Sequence, residues 1–234
     1  RSNAGLNVPV IEDHSHDLAG DWAIYSNADW CIASLRKTLP IPEGGILWSP
    51  KKHQLPEPAM QFDKNILIAK KRWKAMRLKK DYLENKISDK NEFRKLFLET
   101  ESEFDELPIA AITEDCKEFL SKFDVKTWFQ RKQLNWLILS DIQSDKVQIL
   151  KRETEACNNF SFIMLFQNTV IRDEVKNGLI VNSIYPAILW AIPEDRSGPK
   201  DISDKMLSIA CDGRYSTEDI LILKNKIENI LKHV

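Results

Sequence analysis

The fold is decided by three short segments near the start of the chain: Val8-Pro9-Val10-Ile11-Glu12-Asp13-His14-Ser15-His16, Trp30-Cys31-Ile32-Ala33-Ser34-Leu35-Arg36-Lys37 and Glu43-Gly44-Gly45-Ile46-Leu47-Trp48. Each contains a short apolar run without polar alternation, which is typical of strands buried on both faces in α/β layers. Asp13 and Lys37 each lie just beyond the carboxyl end of such a run. Because ligands of open α/β sheets bind at that edge, we expect the carboxylate and the amine to meet in one crevice.

A carboxylate and a lysine in one crevice meet a chemical requirement of enzymes that use pyridoxal 5'-phosphate (PLP). In these enzymes a lysine forms an imine with the cofactor aldehyde. A carboxylate pairs with the pyridine nitrogen and keeps it protonated, so that the ring can accept carbanion electrons. The positions of Asp13 and Lys37 therefore favour this cofactor.

The three segments together resemble the PLP-dependent sugar aminotransferases of the DegT/StrS type, which have the aspartate-aminotransferase fold (fold type I). The resemblance includes the spacing of Lys37, which lies six residues before Glu43 of Glu43-Gly44-Gly45. The later part of the chain is more loosely similar to the small C-terminal domain of that family. Its matching segments are Arg172-Asp173, Ile184-Tyr185-Pro186, Leu189-Trp190 and Cys211-Asp212-Gly213-Arg214-Tyr215.

The resemblance implies a role for each matching residue of the first part. Lys37 matches the lysine that carries the internal aldimine and later moves the proton, and Asp13 matches the acid that pairs with the pyridinium nitrogen. His16 falls near the cofactor ring, where the family often has a glutamine. Ser34 and Arg36 fall near the cofactor phosphate, although their offset from the lysine differs from the commonest pattern.

The resemblance implies substrate contacts in the second part at Arg172, Tyr185 and Arg214. A guanidinium group binds carboxylate or phosphate with two hydrogen bonds, so each arginine could clamp an anionic substrate. Equally, each arginine could pair with its neighbouring acid, Asp173 or Asp212. The sequence departs from the family pattern at Trp190, which stands where many members have a histidine.

The predicted fold class is α/β, namely the later part of a PLP fold type I large domain followed by a small α+β domain. We expect residues 1–124 to be the C-terminal portion of the PLP-binding large domain with a helical extension, and residues 125–234 to be the small domain. The family's N-terminal part, with its phosphate donors and ring-stacking aromatic, is not matched by this chain. The chain alone is therefore expected to be an incomplete enzyme with an exposed apolar sheet face. The resemblance also implies a homodimer.

Composition excludes several other classes of protein. The chain has 234 residues, 43% of them hydrophobic, and a net charge of −1, which gives no global reason to expect nucleic acid or membrane as a partner. No apolar run reaches the roughly 18–20 residues that span a bilayer. The four cysteines are widely spread, which argues against a disulfide framework or a zinc finger and favours a reducing cytoplasm. His14 and His16 invite a metal site, but no third ligand is apparent nearby, so none is predicted.

The rest of the chain predicts further elements. Phe62, Ile66, Ala69, Trp73, Met76 and Leu83 recur at helical spacing, and the other face of that helix is basic. This basic face is expected to be solvated or matched by the acids of residues 99–118, with nucleic-acid binding as a weaker alternative. Helices are also expected over 113–123, 125–140 and 171–178 and from Ser216 onward, strands over 147–150, 160–166, 183–185 and 207–210, and a loop over 193–199.

The sequence therefore predicts an aminotransferase that passes an amino group from a small-molecule donor to a keto group by way of PLP on Lys37, with a keto-sugar as one candidate acceptor. The alternative is a catalytically inactive relative of this fold that acts as a binding or assembly protein. A third hypothesis is an interaction module built on the basic helix.

Overall fold

The computed structural model describes residues 8–57, 59–151, 160–189, 192 and 197–234, without the side chains of 197–200. The described chain forms two compact units. The first holds the residues up to Leu18 together with Trp22–Phe123, and the second holds Ala19–Asp21 and Asp124–Val234. Among the described residues, no helix is long and apolar enough to cross a membrane.

The first unit contains a three-stranded sheet. Its elements are β1 (Ile11–Asp13), α1 (Asp21–Ile24), β2 (Trp30–Ser34), a 3-10 turn (Leu35–Lys37) and β3 (Gly45–Trp48). The strands lie in the order β1-β2-β3, with β1 parallel to β2 and β3 antiparallel to it. All three strands predicted for this region are present, and β1 begins three residues later than its apolar run suggests. The strand extends through Glu12 to Asp13, which is its last residue.

The two faces of this sheet differ in burial. Asp13, Ile32 and Leu47 lie side by side in the register, and Ile32 and Leu47 are 41% and 37% exposed. On the opposite face Cys31 and Ala33 are buried, although Ile46, which pairs with Ala33 at the edge of the sheet, is 44% exposed. The prediction of strands buried on both faces is therefore wrong for this sheet, while the predicted exposed apolar face is present. Apolar runs reflect strand propensity here, and they do not report which face is covered.

Helices make up the rest of the first unit. They are α2 (Asp63–Leu83), α3 (Asn91–Asp105) and α4 (Glu114–Lys122). Lys71, Arg72 and Lys74 of α2 form ion pairs of 2.5–2.7 Å with Glu103, Glu101 and Glu92 of α3. Acidic residues of α3 thus pair with part of the basic face of α2. This agrees with the hypothesis that acidic residues of the chain, and not nucleic acid, match this face.

The buried stripe of α2 is rotated relative to the predicted one. Ala69 of the predicted stripe is buried and its Ile66, Trp73 and Met76 are half-buried, but Phe62 and Leu83 at the ends are exposed. The buried Ile68 and Ala75 each lie one position before a predicted residue. The predicted stripe followed the largest apolar side chains. Two of the four buried residues are alanines, whose small side chains permit a close approach of a neighbouring helix.

The second unit is α+β. Its elements are α5 (Val125–Ser140), β4 (Val147–Ile149), β5 (Phe162–Phe166), α6 (Thr169–Val181), α7 (Ser197–Lys205), β6 (Met206–Ile209) and α8 (Thr217–His233). The strands form an antiparallel sheet in the order β4-β5-β6. Its core contains the fully buried Phe162, Met164, Leu179, Leu207 and Ile227. The predicted N-cap of the last helix is confirmed, since Ser216 and Asp219 form a reciprocal capping box.

Three predictions for the second unit need correction. Residues 183–185 form no strand, and the nearby Ala187 instead makes a single antiparallel bridge to Ser208. Helix α6 is longer than predicted. Residues 197–199, which were expected to belong to a loop, begin α7, while residues 193–196 of that expected loop and Trp190 lie outside the described residues.

Candidate functional site

The candidate site begins with Asp13, the last residue of β1. Its Oδ1 accepts a 2.8 Å hydrogen bond from the backbone amide of Ser15. The Ser15 hydroxyl is the largest cause that lowers the pKa of the Asp13 carboxyl, followed by the Ser15 amide, while burial opposes them. Lys37 and His16 lie close enough for their charges to lower this pKa further. The charges of Lys37 and His16 thus act on the Asp13 carboxyl in the same direction as Ser15 and favour its ionised form.

Ser15 connects the end of β1 to the end of β2. Its hydroxyl accepts a 2.9 Å hydrogen bond from the backbone amide of Ser34, and its carbonyl accepts a 3.4 Å hydrogen bond from the hydroxyl of Thr38. Ser15 therefore positions the carboxylate of Asp13 relative to the segment that carries Lys37. Sequence reasoning assigned no role to Ser15. The available signal was its place two residues after an aspartate, which is typical of an Asx turn.

Lys37 lies in the 3-10 turn that follows β2. The amide of Thr38 donates to the carbonyl of Leu35 at 3.0 Å, and the amide of Leu35 donates to the carbonyl of Gly44 at 3.0 Å. Gly44 has a φ of +112°, which L side chains rarely adopt. A Cβ at this position would also lie 2.8 Å from Cδ1 of Ile112. The residues between Lys37 and the glycine pair therefore form a loop that folds back onto the 3-10 turn that contains Lys37.

Glu43 anchors this loop and does not face the candidate site. Its side chain is buried, and its Oε1 accepts hydrogen bonds from both the amide of Thr113, at 2.8 Å, and the Thr113 hydroxyl. Thr113 is the N-cap residue of α4. The glutamate of the Glu43-Gly44-Gly45 motif thus joins the loop after Lys37 to the start of a helix.

Arg36 is held by an ion pair. Its guanidinium donates two hydrogen bonds to Glu101, at 3.0 and 2.6 Å, and Arg72 lies 2.7 Å from the same carboxylate. The Arg36 hydrogen bond is the largest cause that lowers the pKa of Glu101. A role of Arg36 at a phosphate would therefore compete with Glu101. The hydroxyl of Ser34, in contrast, makes no hydrogen bond to any described residue.

The predicted substrate residues Arg172, Tyr185 and Arg214 belong to the second unit. Arg214 donates two hydrogen bonds to Asp212, at 2.8 and 2.6 Å. Burial acts to raise the pKa of Asp212, but Arg214 outweighs it and the pKa is lowered.

The other two residues differ in exposure. Arg172 is buried with its Nε 2.8 Å from Asp173, an ion-pair distance without hydrogen-bond geometry. Tyr185 is exposed. Both arginines thus pair with their neighbouring acids, and the roles of these three residues as substrate contacts stay predictions.

Comparison with solved structures identifies the fold. Spr1654 from Streptococcus pneumoniae, assigned as a sugar aminotransferase, superposes in its PMP form with a TM-score of 0.60 and 12% sequence identity, over 97% of this chain and 58% of that one. PseC of Helicobacter pylori, an aminotransferase of pseudoaminic acid biosynthesis, gives a TM-score of 0.56 at 13% identity, over 97% and 60% of the two chains. A DegT DnrJ EryC1 StrS aminotransferase from Brucella abortus gives 0.53 at 11% identity, over 95% and 56%.

These comparisons define a class by its fold, that of the DegT/DnrJ/EryC1/StrS-type sugar aminotransferases. No family model matches the sequence, and no curated protein matches it. The chain spans just under 60% of the length of Spr1654. At 11–13% identity the likeness is one of fold, so the cofactor and the reaction have to be argued from the site.

Proposed function

We propose that this chain is part of a PLP-dependent aminotransferase. The observation that carries the proposal is the Asp13 carboxylate, which is kept ionised at the end of β1 by Ser15 and has Lys37 nearby. The fold supports it, because Spr1654 is known in a PLP form and in a PMP form, which carry the two cofactor states of amino transfer. No observation on the described residues favours the inactive binding protein or the basic-helix module.

The residues present fit part of the contacts that PLP requires. When bound, the cofactor supplies an electron sink for a carbanion. The carboxylate of Asp13 would hold the proton on the pyridine nitrogen. The amine of Lys37 would anchor the cofactor and then move a proton at the α-carbon of the amino donor.

The remaining contacts are less complete. His16, whose charge acts on the Asp13 carboxyl, would contact the ring, and the hydroxyl of Ser34 would donate to the phosphate. Arg36 would reach the phosphate only by leaving Glu101. Asp13 and Lys37 are both exposed, so further contacts have to cover the cofactor. A homodimer of the kind that the resemblance implies would supply such cover.

The proposed substrates are a small-molecule amino donor and a keto acceptor, which we infer to be a keto-sugar. The support for a sugar is the assignment of Spr1654 as a sugar aminotransferase.

The cofactor proposal is tested on the full-length protein of which this chain is a part, by trapping PLP with borohydride and mapping the modified peptide. The pyridoxyl group is expected on Lys37, and Lys37→Arg should remove it while keeping the positive charge. Lys95→Arg is the matched control, because Lys95 is exposed and has only a long 3.7 Å contact with Glu99. Equal labelling of Lys37 and other exposed lysines, or unchanged total labelling of Lys37→Arg, would contradict the proposal.

A further inference from the structure

A second cluster of reactive side chains lies on the sheet face opposite Asp13. Glu12, His14 and Cys31 each offer one donor atom, and the three atoms all lie within 4.8 Å of one another. Oε2 of Glu12 is 3.2 Å from Nε2 of His14. The register explains the arrangement, because Glu12 of β1 pairs directly with Cys31 of β2. His14 shares the face of Glu12 since alternate residues of an extended chain point the same way.

The cluster is enclosed but has one route to solvent. His14 is 4% exposed and Cys31 is fully buried, while the side chain of Glu12 keeps 20% of its surface accessible. The His14 ring lies 5.6 Å from the ring of Trp48, centroid to centroid. An ion would therefore reach the site past the partly accessible Glu12, because the other two ligands are buried.

Ser26 holds the cluster together. Its hydroxyl donates a 2.6 Å hydrogen bond to Oε2 of Glu12 and accepts from the thiol of Cys31 at 3.3 Å. The amide of Ala28 also donates to this hydroxyl at 3.1 Å. The carboxylate and the thiol are thus oriented by a neighbouring side chain, as the ligands of a metal ion are by outer hydrogen bonds, and the imidazole is held by the carboxylate of Glu12.

The donor set and its spacing fit a zinc-like divalent ion. Imidazole nitrogen, thiolate sulfur and carboxylate oxygen are the three ligand types of protein zinc sites, with bonds of about 2.0–2.3 Å. Tetrahedral geometry with such bonds separates ligand atoms by roughly 3.2–3.7 Å. The distance of 3.2 Å between Glu12 and His14 already lies at the lower end of this range.

We propose that Glu12, His14 and Cys31 form a three-ligand site for a divalent zinc-like ion, with a water molecule or the Ser26 hydroxyl in the fourth position. The thiol of Cys31 loses its proton to solvent when the thiolate bonds to the metal, so binding weakens as the pH falls. The ion would tie β1, the turn after it and β2 together. The site is separate from the candidate cofactor site, since its ligands lie on the other face of the sheet from Asp13, and it does not depend on the proposed function.

Cobalt(II) is the probe for this site, because a cobalt-bound thiolate gives a charge-transfer band that carboxylate and imidazole ligands do not give. The test uses the untagged 234-residue chain after treatment with a chelator. We expect one equivalent of cobalt to produce the band and zinc to displace it. Cys31→Ser should abolish the band, and Ser26→Ala should weaken metal affinity about 10- to 100-fold. Cys116→Ser is the matched control, since Cys116 is equally buried and lies outside the cluster.

A zinc-dependent shift of the thermal midpoint gives an independent readout, because a ligand that binds only the folded state stabilises it. Zinc should raise the midpoint of the wild-type chain and of Cys116→Ser, but not that of His14→Gln or Glu12→Gln. Circular dichroism shows whether Cys31→Ser folds. If it does not fold, the zinc responses of His14→Gln and Glu12→Gln still test the site. Absence of the thiolate band in the wild-type chain, or an unchanged zinc response in His14→Gln, would overturn the proposal and leave the cluster as a buried hydrogen-bonded chain.

Discussion

The backbone amide of Ser15 donates a 2.8 Å hydrogen bond to Oδ1 of Asp13. The contact fixes the carboxylate at the end of β1 in an Asx turn, and the serine hydroxyl, which also stabilises the ionised carboxylate, connects this turn to the next strand. The hydroxyl does so by accepting from the amide of Ser34. The geometry of the candidate site is therefore set by a residue that need not touch a cofactor itself, and it can be tested without one.

Ser15→Ala is expected to destabilise the first unit by about 1–3 kcal/mol, because the partly buried amide of Ser34 loses its side-chain acceptor. Urea denaturation measures the loss. Ser121→Ala is the control, since the hydroxyl of Ser121 is exposed and bonds only to the carbonyl of Glu118 in its own helix. The control should change stability by less than about 0.5 kcal/mol. If Ser15→Ala behaves like Ser121→Ala, the connection between β1 and β2 does not depend on Ser15.

Glu43→Ala is expected to destabilise the first unit by about 2–4 kcal/mol, because the buried amide and hydroxyl of Thr113 both lose their acceptor. Glu43→Gln keeps an acceptor oxygen and should cost less. Hydrogen exchange of the first amides of α4 should accelerate in Glu43→Ala along with the fall in the urea midpoint. Glu106→Ala, at an exposed position after α3, should leave both measurements unchanged. Equal stability of the two alanine variants would exclude the anchoring role of Glu43.

Much of the fold could be predicted from local patterns. Strands β2 and β3 and helices α2 and α5 begin and end where, or within a residue of where, the apolar runs and periodicities place them. These elements combine strong propensity with clear boundaries, such as the glycine at Gly45. The capping box at Ser216 and Asp219 fixed the start of α8 in the same way.

Residues of the candidate site were predictable only where the pattern of one local segment of sequence indicates their position. The sequence places Asp13 and Lys37 at strand ends, and the structure brings them near each other. It could not predict that Arg36 pairs with Glu101, because that contact joins residues 65 positions apart. The cluster of Glu12, His14 and Cys31 was missed for the same reason. Its third ligand comes from the neighbouring strand, and only the register between β1 and β2 brings it to His14.

The thiols of Cys116 and Cys211 are expected to be unreactive in the folded chain. Burial raises their pKa values from about 9 to about 11 and about 12. Since only the thiolate is a nucleophile, iodoacetamide at about pH 8 should label both residues in urea and neither in buffer. Mass spectrometry of the labelled peptides distinguishes the two sites. Rapid labelling of Cys211 under native conditions would show that its environment is more open than its full burial indicates.

The same two thiols give a pH dependence of stability. Below about pH 9 they are protonated in both the folded and the unfolded chain, so they do not change the free energy of unfolding. Between about pH 9 and their folded pKa values, the unfolded thiols ionise and the buried ones do not. The free energy of unfolding should therefore fall as the pH rises through this window. Serine variants of both cysteines should show a smaller fall between these pH values, measured by urea denaturation, and an equal fall would assign the effect to other groups.

Of the glycines that the structure describes in the second unit, Gly213 should tolerate an added methyl group least. A Cβ there would lie 2.6 Å from Cδ2 of Trp128 and 2.9 Å from its carbonyl oxygen, so the backbone of α5 would have to move as well as the indole ring. Overpacking of this kind costs about 1–3 kcal/mol, and Gly213→Ala should lower the urea midpoint of the second unit accordingly. Gly45→Ala is the matched control, because its Cβ would meet only the carbonyl of Ala33 at 3.5 Å, an ordinary contact. The control should be close to neutral, since alanine also restricts the unfolded chain. A Gly213→Ala variant as stable as the wild type would mean that the loop before α8 can move away from α5 without lowering the free energy of unfolding.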